Sequence, residues 1–440
     1  AAAATAAAAE EDEDDMFDID EKVFVPVAED KSRPGRSAAN LHDGFDDEHG
    51  YYNFQIGETL DQRYEILEFK GKGSFSSVVR CRDLLTPPPS LAPPPPPSLP
   101  AAFPDGKTLV PPPSITTSSF SSSLPLPLHR NAEVAVKVVR SNEATLRAAV
   151  VEEAVLKRLA TTDPEGRRHC VRLLRTFEFR GHQCLVFESM DLNLRDLTKK
   201  YGRNRGLNIN AVALYTSQLM IALRHLRRTG IVHADIKPDN VLVNVKRTKI
   251  KLCDFGSAML TSEAEPLAPY LGSRYYRAPE VILGHKYDSP MDMWSVACVV
   301  YELFTGRILF QGASNNEMIR LFMDLKGPFS KKLLRRCKFA DQHFRVEESS
   351  CSFLSKEEDP LTKRPLVKVV TVTSAKHSVL TMLTPAMRAC TTMDEKQKVA
   401  QLADLLDKMF VLEPDRRIDP DTALQHPFIR PHLIHRGGAG

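Results

Sequence analysis

Three short blocks in a fixed order constrain this 440-residue chain more than any other feature. They are His233-Ala234-Asp235-Ile236-Lys237-Pro238-Asp239-Asn240, then Asp254-Phe255-Gly256, then Ala278-Pro279-Glu280. Between the first two, Val241 to Asn244 and Lys249 to Cys253 read as a short hairpin, which returns Asp254 to the side of Asn240. The fold must therefore gather two carboxylates, an amide and the Lys237 amine at one place. An H-x-D triplet arises by chance in many chains, but the three blocks in this order and spacing do not.

Such a set suits phosphoryl transfer from a nucleotide, where the protein supplies position and charge around a loose transition state. Asp235 is placed to accept the proton of an attacking hydroxyl, and Lys237 to contact the transferred phosphate. Asn240 and Asp254 are oxygen ligands fit for Mg2+, a hard cation that keeps phosphate oxygens and waters as its other ligands. Upstream, Gly71-Lys72-Gly73-Ser74-Phe75-Ser76-Ser77-Val78 fits a loop lying over the phosphates of a nucleotide. Its third expected glycine is Ser76, a tolerable change because only the first two positions need close backbone approach.

Glu133 to Val139 alternates as a strand, with Val134, Val136 and Val138 on one face. Ala135 and Lys137 share the other, so a small residue fit to underlie adenine sits beside an amine fit for phosphates. In the next helical stretch Glu152, Leu156 and Leu159 fall on one apolar face. An inward carboxylate is costly unless paired, and Lys137 is its natural counter-ion. Glu153 competes for that place but is rotated by about 100°. After Cys184 to Met190 the chain changes from strand-like to helical, as a hinge would. Phe187 then lines the back of the adenine pocket, and the backbone of Glu188 to Met190 binds the base.

From about Tyr51 to Ile429 the sequence resembles the eukaryotic protein kinases. Within them it resembles the branch of cyclin-dependent, mitogen-activated and dual-specificity tyrosine-regulated kinases, and especially its pre-mRNA-processing serine/threonine kinases. Four stretches carry the likeness: Gly50-Tyr51-Tyr52 with Ile56-Gly57-Glu58, the His233 to Asn240 block, Leu252 to Ala258, and Met323 to Gly327 with Asp341-Gln342-His343-Phe344. The resemblance implies an α+β, two-lobed kinase fold, with a small β-rich N-lobe and a larger, mainly helical C-lobe. It also implies a nuclear enzyme that uses ATP and Mg2+ on splicing factors. Ala234 stands where most kinases carry an arginine for the phosphorylated activation segment, a departure that the pre-mRNA-processing kinases share. Tyr270 occupies the position of the activation-segment tyrosine, with Arg274 and Arg277 near enough to pair with its phosphate. The same likeness assigns Leu242, in the hairpin, to the nucleotide-binding set, Asp292 to backbone donors near His233, and Glu280 with Arg417 to a buried ion pair. Trp294 is expected in the core.

The expected organisation is an acidic disordered tail over 1–50, an extension packing on the domain over 51–63, a small lobe over 64–187, a large lobe over 188–430 and a tail over 431–440. Residues 1–50 hold fifteen acidic against four basic side chains, which leaves the rest strongly basic in a chain of net charge +3. Such a basic domain attracts acidic proteins and ribonucleoprotein surfaces, an indirect association without sequence-specific nucleic-acid binding. Between Thr86 and Arg130 lie fifteen of the thirty-one prolines, a composition for extended chain that cannot form a core. The basic run Lys331, Lys332, Arg335, Arg336 and Lys338 reads as a solvated helix face, and residues 345–375 lack a pattern. Eight cysteines without a C-x-x-C pair give no disulfide framework or zinc site and fit a reducing compartment. No apolar run is long enough to span a membrane, and the alanine-rich start lacks a basic leader. The missing initiator methionine suggests a piece of something longer, and a monomeric catalytic domain is expected.

A pseudokinase scaffold in a ribonucleoprotein assembly is the alternative, suggested by Ala234 and Ser76. Against it, Lys137, Glu152, Asp235, Lys237, Asn240 and Asp254 are all present. A small-molecule kinase is disfavoured by the segment from Tyr270 to Glu280, which protein kinases use to receive a peptide.

Overall fold

The computed structural model describes residues 46–84 and 132–431, apart from 74, 204, 263–268, 349 and 359–363. The expected disordered tail up to residue 45, the proline-rich insert and the tail from residue 432 lie outside the described residues.

The small lobe is an antiparallel sheet built from β1 (Thr59–Leu60), β2 (Tyr64–Lys72), β3 (Ser76–Asp83), β4 (Glu133–Val139), β5 (Leu173–Phe179) and β6 (His182–Glu188). Their spatial order is β1-β2-β3-β4-β6-β5. β4 shows the alternation that its sequence promises: Val134, Val136 and Val138 are buried, whereas Ala135 and Lys137 are half-buried on the other face. Between β4 and β5 runs α1 (Glu143–Thr162), started by Asn142, whose side chain accepts from the Thr145 amide at 2.9 Å. Its buried face includes Glu152, Leu156 and Leu159.

Ahead of the sheet, Tyr52 is buried within the cluster formed by Val79, Val134, Val136 and Val186. Ordered contacts begin earlier than the expected boundary at residue 50. The Asp46 carboxylate meets His182 Nε2 at 2.8 Å, and Asp47 meets Lys72 Nζ at 2.8 Å.

The large lobe opens with β7 (Leu192–Asn193), α2 (Leu194–Gly202) and α3 (Ile209–Thr229), followed by β8 (Ile231–Val232), β9 (Val241–Val243), β10 (Ile250–Leu252) and β11 (Met259–Leu260). β9 and β10 pair antiparallel, with Val241 opposite Leu252, which is the hairpin expected between Asn240 and Asp254. Then come α4 (Pro279–Leu283) and α5 (Pro290–Thr305), the latter buried along its whole length and closed by Gly306 in the left-handed region. Trp294 on α5 is fully buried against Phe310, Phe322 and Phe410.

After α6 (Asn315–Lys326), the basic run forms only a four-residue helix, α7 (Lys331–Leu334), and Leu333 and Leu334 are buried. The solvated helix face expected there is thus cut short, because two core leucines interrupt the charges. The stretch without a pattern holds a three-stranded antiparallel sheet: β12 (Phe344–Val346), β13 (Cys351–Glu358) and β14 (Pro365–Val370). α8 (Val379–Met387), α9 (Met393–Met409) and α10 (Pro420–Leu424) complete the lobe. Among the described residues no helix is long and apolar enough to cross a membrane, and all eight cysteines are free.

Candidate active site

β8 and β9 hold the ends of the His233 to Asn240 loop, and α5 grips its first two residues. Asp292, buried at the start of α5, accepts from the amides of His233 at 2.7 Å and Ala234 at 3.0 Å. Burial pushes the Asp292 carboxyl up, with those amides and His233 opposing. His233 Nε2 lies 3.0 Å from the Cys253 carbonyl, so this nitrogen donates, while Nδ1 accepts from the Asp235 amide at 3.3 Å. The loop is thereby fixed before any substrate arrives. Asn240 donates through Nδ2 to the carbonyl and Oδ2 of Asp235, at 2.9 and 3.2 Å. Lys237 Nζ lies 3.0 Å from the same Oδ2.

The hairpin β9–β10 brings Asp254 to this group, and Asp254 itself takes a left-handed backbone with φ of 60°. Phe255 beside it is fully buried, its ring centre 4.8 Å from that of His233. With the phenylalanine inward, the Asp254 carboxylate faces Lys137, Nζ to Oδ1 at 2.8 Å. Lys137 also meets Glu152 at 2.8 Å, and Glu152 in turn accepts from the Phe255 amide at 3.2 Å. Burial works against the charge on Lys137, but Asp254 and Glu152 outweigh it and hold the ammonium well above the ordinary lysine range. The Lys137 charge in turn holds the Asp254 carboxyl below the usual carboxylate range, against its burial. Glu153 instead accepts from Thr176 and Gln183 and pairs with Lys157, which removes it from the competition.

Among the described residues no cluster of three or more His, Cys, Asp or Glu side chains could by itself hold a metal ion. Asn240 Oδ1 and the Asp254 carboxylate supply two hard oxygen donors. That fits a divalent cation held mainly by phosphate and water.

Among the residues expected to bind the nucleotide, Gly71 pairs with Val78 across the turn from β2 to β3, and the Gly73 amide donates to the Ser76 carbonyl at 2.9 Å. Ser74 lies outside the described residues. Phe75 is exposed at the tip and Ser76 is buried at the start of β3. Val78 lies opposite Lys137, and Ala135 opposite Phe187. Leu242 is half-buried between the sealed Val241 and Val243. At the hinge the Glu188 carboxylate is gripped by Lys251 Nζ and by the Arg172 amide at 2.9 Å, and Met190 follows half-buried. Lys251 has no signature of its own in the sequence, because its partner is 63 residues away.

Ser273 is a further site residue that sequence reasoning missed. Its amide and hydroxyl both donate to Asp235 Oδ1, at 2.9 and 2.7 Å, and its oxygen accepts from Lys237 Nζ at 3.0 Å. The segment lies so close on the catalytic loop that a Cβ on Gly272, at φ of 72°, would stand 2.4 Å from the Ala234 carbonyl oxygen. Tyr270 is 65% exposed. Arg277 is buried and donates to the carbonyls of Leu271, Tyr270 and Gly272 and to Asn315 Oδ1. Burial and the neighbouring Arg274 lower its guanidinium to about 10. Arg274 is exposed. Glu280 and Arg417 form the buried pair expected of them, at 2.6 and 2.9 Å.

A strand amine locked to a helix carboxylate, an aspartate ringed by donors, and two oxygen donors across a hairpin suit a phosphoryl-transfer centre. Residues 126–429 match the protein kinase domain family, and β1 to β3 complete the small lobe from ahead of that match. The chain belongs to the protein kinase family. It is similar to serine/threonine-protein kinase prp4 of Schizosaccharomyces pombe, 39% identical over 394 residues that cover 89% of this chain and 72% of that protein. It is similar too to serine/threonine-protein kinase prpf4B of Dictyostelium discoideum, 38% identical over 394 residues, 89% of this chain but 42% of that protein. The DYRK-family kinase pom1 of Schizosaccharomyces pombe is 29% identical over 401 residues, 91% of this chain and 30% of pom1. By these likenesses the chain is a serine/threonine protein kinase that uses ATP with a divalent metal ion and acts on protein substrates.

Proposed function

We propose that this kinase transfers the γ-phosphate of ATP, with Mg2+, to serine and threonine residues of splicing-related proteins in the nucleus. Its own Tyr270 is autophosphorylated as the enzyme matures. The observation that carries the catalytic part is the closed set around Asp235, in which Lys237, Asn240 and Ser273 converge on one carboxylate. The splicing role is supported by the likeness to the pre-mRNA-processing kinases and to prp4. The basic balance of the chain beyond residue 50 suits acidic substrates and ribonucleoprotein surfaces, met through proteins rather than by reading a nucleic-acid sequence. Such an enzyme works as a monomeric domain without a membrane.

For Tyr270, the supporting features are its exposure and the nearby exposed Arg274. Arg277, whose guanidinium lies 5.8 Å from the centre of the Tyr270 ring, also donates to the segment's own carbonyls, and it and Arg274 are the cations proposed to hold the phosphate. The test is labelled-phosphate transfer to purified splicing factors by the chain and by Asp254→Ala, with the sites mapped by mass spectrometry. Transfer confined to the unaltered chain, with phosphate on Tyr270, supports the reading. Absence of transfer to splicing factors alone removes that substrate class. Undiminished activity in Tyr270→Phe removes the maturation step.

A further inference from the structure

The segment ahead of the small sheet does more than cover it. Its base is fixed at several points. His182, fully buried, meets Asp46 at 2.8 Å through Nε2 and the Val139 carbonyl at 2.8 Å through Nδ1. The Tyr52 ring is buried and its hydroxyl donates to Glu58 at 2.5 Å. The Ser141 amide donates to the Gly50 carbonyl at 2.8 Å, and Arg140 donates to the carbonyl of His49. From this base two groups reach the phosphate loop. Tyr51 Oη donates to the Gly73 carbonyl at 2.9 Å, and Asp47 holds Lys72 Nζ, which also lies 3.9 Å from the centre of the Tyr51 ring. Burial acts to raise the Asp47 carboxyl, but Lys72 and the amides of Tyr51 and His49 outweigh it and lower it to about 2, so it is ionised throughout the working range.

A glycine hairpin is conformationally permissive and loses much entropy when it settles over phosphates. Holding the Gly73 carbonyl fixes the plane of the peptide that leaves Gly73, because that peptide is rigid. We propose that Tyr51 is a positioning residue for ATP: its hydroxyl ties the phosphate loop to the anchored segment, so that the loop is set in place before the nucleotide enters. Tyr51 acts through Gly73 and does not touch the nucleotide. The inference rests on the kinase reading of the site. It predicts an effect specific to the phosphates, since nothing in the contact reaches the adenine surface of Ala135, Phe187 and Leu242.

The test compares the whole chain with Tyr51→Phe and Tyr52→Phe. It measures KM for ATP, kcat, the affinities of a non-hydrolysable ATP analogue and of adenosine, and Tm without nucleotide. Loss of one hydrogen bond gives Tyr51→Phe a KM and an analogue Kd raised roughly three- to tenfold, with kcat and adenosine affinity close to those of the unaltered chain. Its nucleotide-free Tm stays near the original, whereas Tyr52→Phe lowers Tm and affects adenosine and ATP alike. Equal ATP affinity in Tyr51→Phe and the unaltered chain overturns the proposal. So does a parallel loss of adenosine and ATP binding with a lowered Tm, which marks a merely structural tyrosine. Failure of the unaltered chain to bind the analogue overturns the kinase reading itself.

Discussion

Asp235, the proposed catalytic base, is held by groups from separate parts of the chain. Oδ2 meets Lys237 and Asn240 from its own loop, whereas Oδ1 is held by Ser273, which lies 38 residues further on. Ser273→Ala removes the hydroxyl from both Asp235 and Lys237 but keeps the amide bond at 2.9 Å. A base that is less well oriented lowers kcat by about ten- to a hundredfold while KM for ATP changes little, which steady-state kinetics at saturating peptide will show. Lys237, Asn240 and Asp254 were legible because their chemistry lies in local motifs of fixed spacing. Ser273 was not, because a lone hydroxyl carries no periodic or spacing signal and its partner is set only by the tertiary fold, and Tyr51 was legible only as part of a family motif, not for its contact with Gly73. Glu152 was legible at longer range because an inward carboxylate on an apolar helix face demands a cation, and β4 offered Lys137.

At the scale of elements, a buried polar knot ties the three-stranded sheet β12–β14 to α6. Asn316 on α6 donates through Nδ2 to His343 Nδ1 at 3.1 Å and to the Leu354 carbonyl at 2.9 Å, and its Oδ1 accepts from the Lys356 amide at 2.8 Å. The knot ties α6 to β13 and gives a physical role to His343 in the Asp341 to Phe344 motif. Burial, aided by Lys356 and opposed by Asp341, pushes the His343 imidazole down to about 4. Its folded value lies below the ordinary histidine value, so the unfolded chain takes up a proton that the folded chain resists. This contribution to stability is full above about pH 6.5 and shrinks as the pH falls toward the folded value. Between pH 7.5 and 5.0 the loss is about 2 kcal/mol, read as a lower Tm. His343→Gln keeps an acceptor for Asn316 but cannot titrate, so its Tm falls less over the same range. The strands tied here were hidden from sequence reasoning for a physical reason. β14 is exposed at every position, and β13 buries only Phe353 and Ser355, so neither shows a sustained alternation.

Across the whole catalytic unit, Lys137 is the point where charges from both lobes meet. It stands on β4, pairs with Glu152 on α1, and reaches Asp254 of the large lobe. An ammonium held by two carboxylates stays charged far above working pH, and the Asp254 carboxylate stays ionised far below it. The Lys137 contribution is therefore complete below the ordinary lysine range and lost only as the pH rises beyond it. The Asp254 contribution is complete above the ordinary carboxylate range and lost as the pH falls through it. The triad is intact between those limits. Lys137→Met leaves Glu152, which is 2% exposed, without its cation. Stranding a buried charge in this way costs about 3–5 kcal/mol, whereas removing both partners of a buried pair is often close to neutral. Lys137→Met should therefore lower Tm by several degrees, and Lys137→Met with Glu152→Leu should regain part of that loss, the remainder reflecting the Phe255 amide left without an acceptor and Asp254 left without its cation. Neither variant should transfer phosphate, because the amine proposed to face the nucleotide is gone from both. A double variant with recovered Tm and no activity separates the cost of the charge from its catalytic use. A double variant less stable than Lys137→Met alone would mean that Glu152 holds the lobes together chiefly through Phe255 rather than through Lys137.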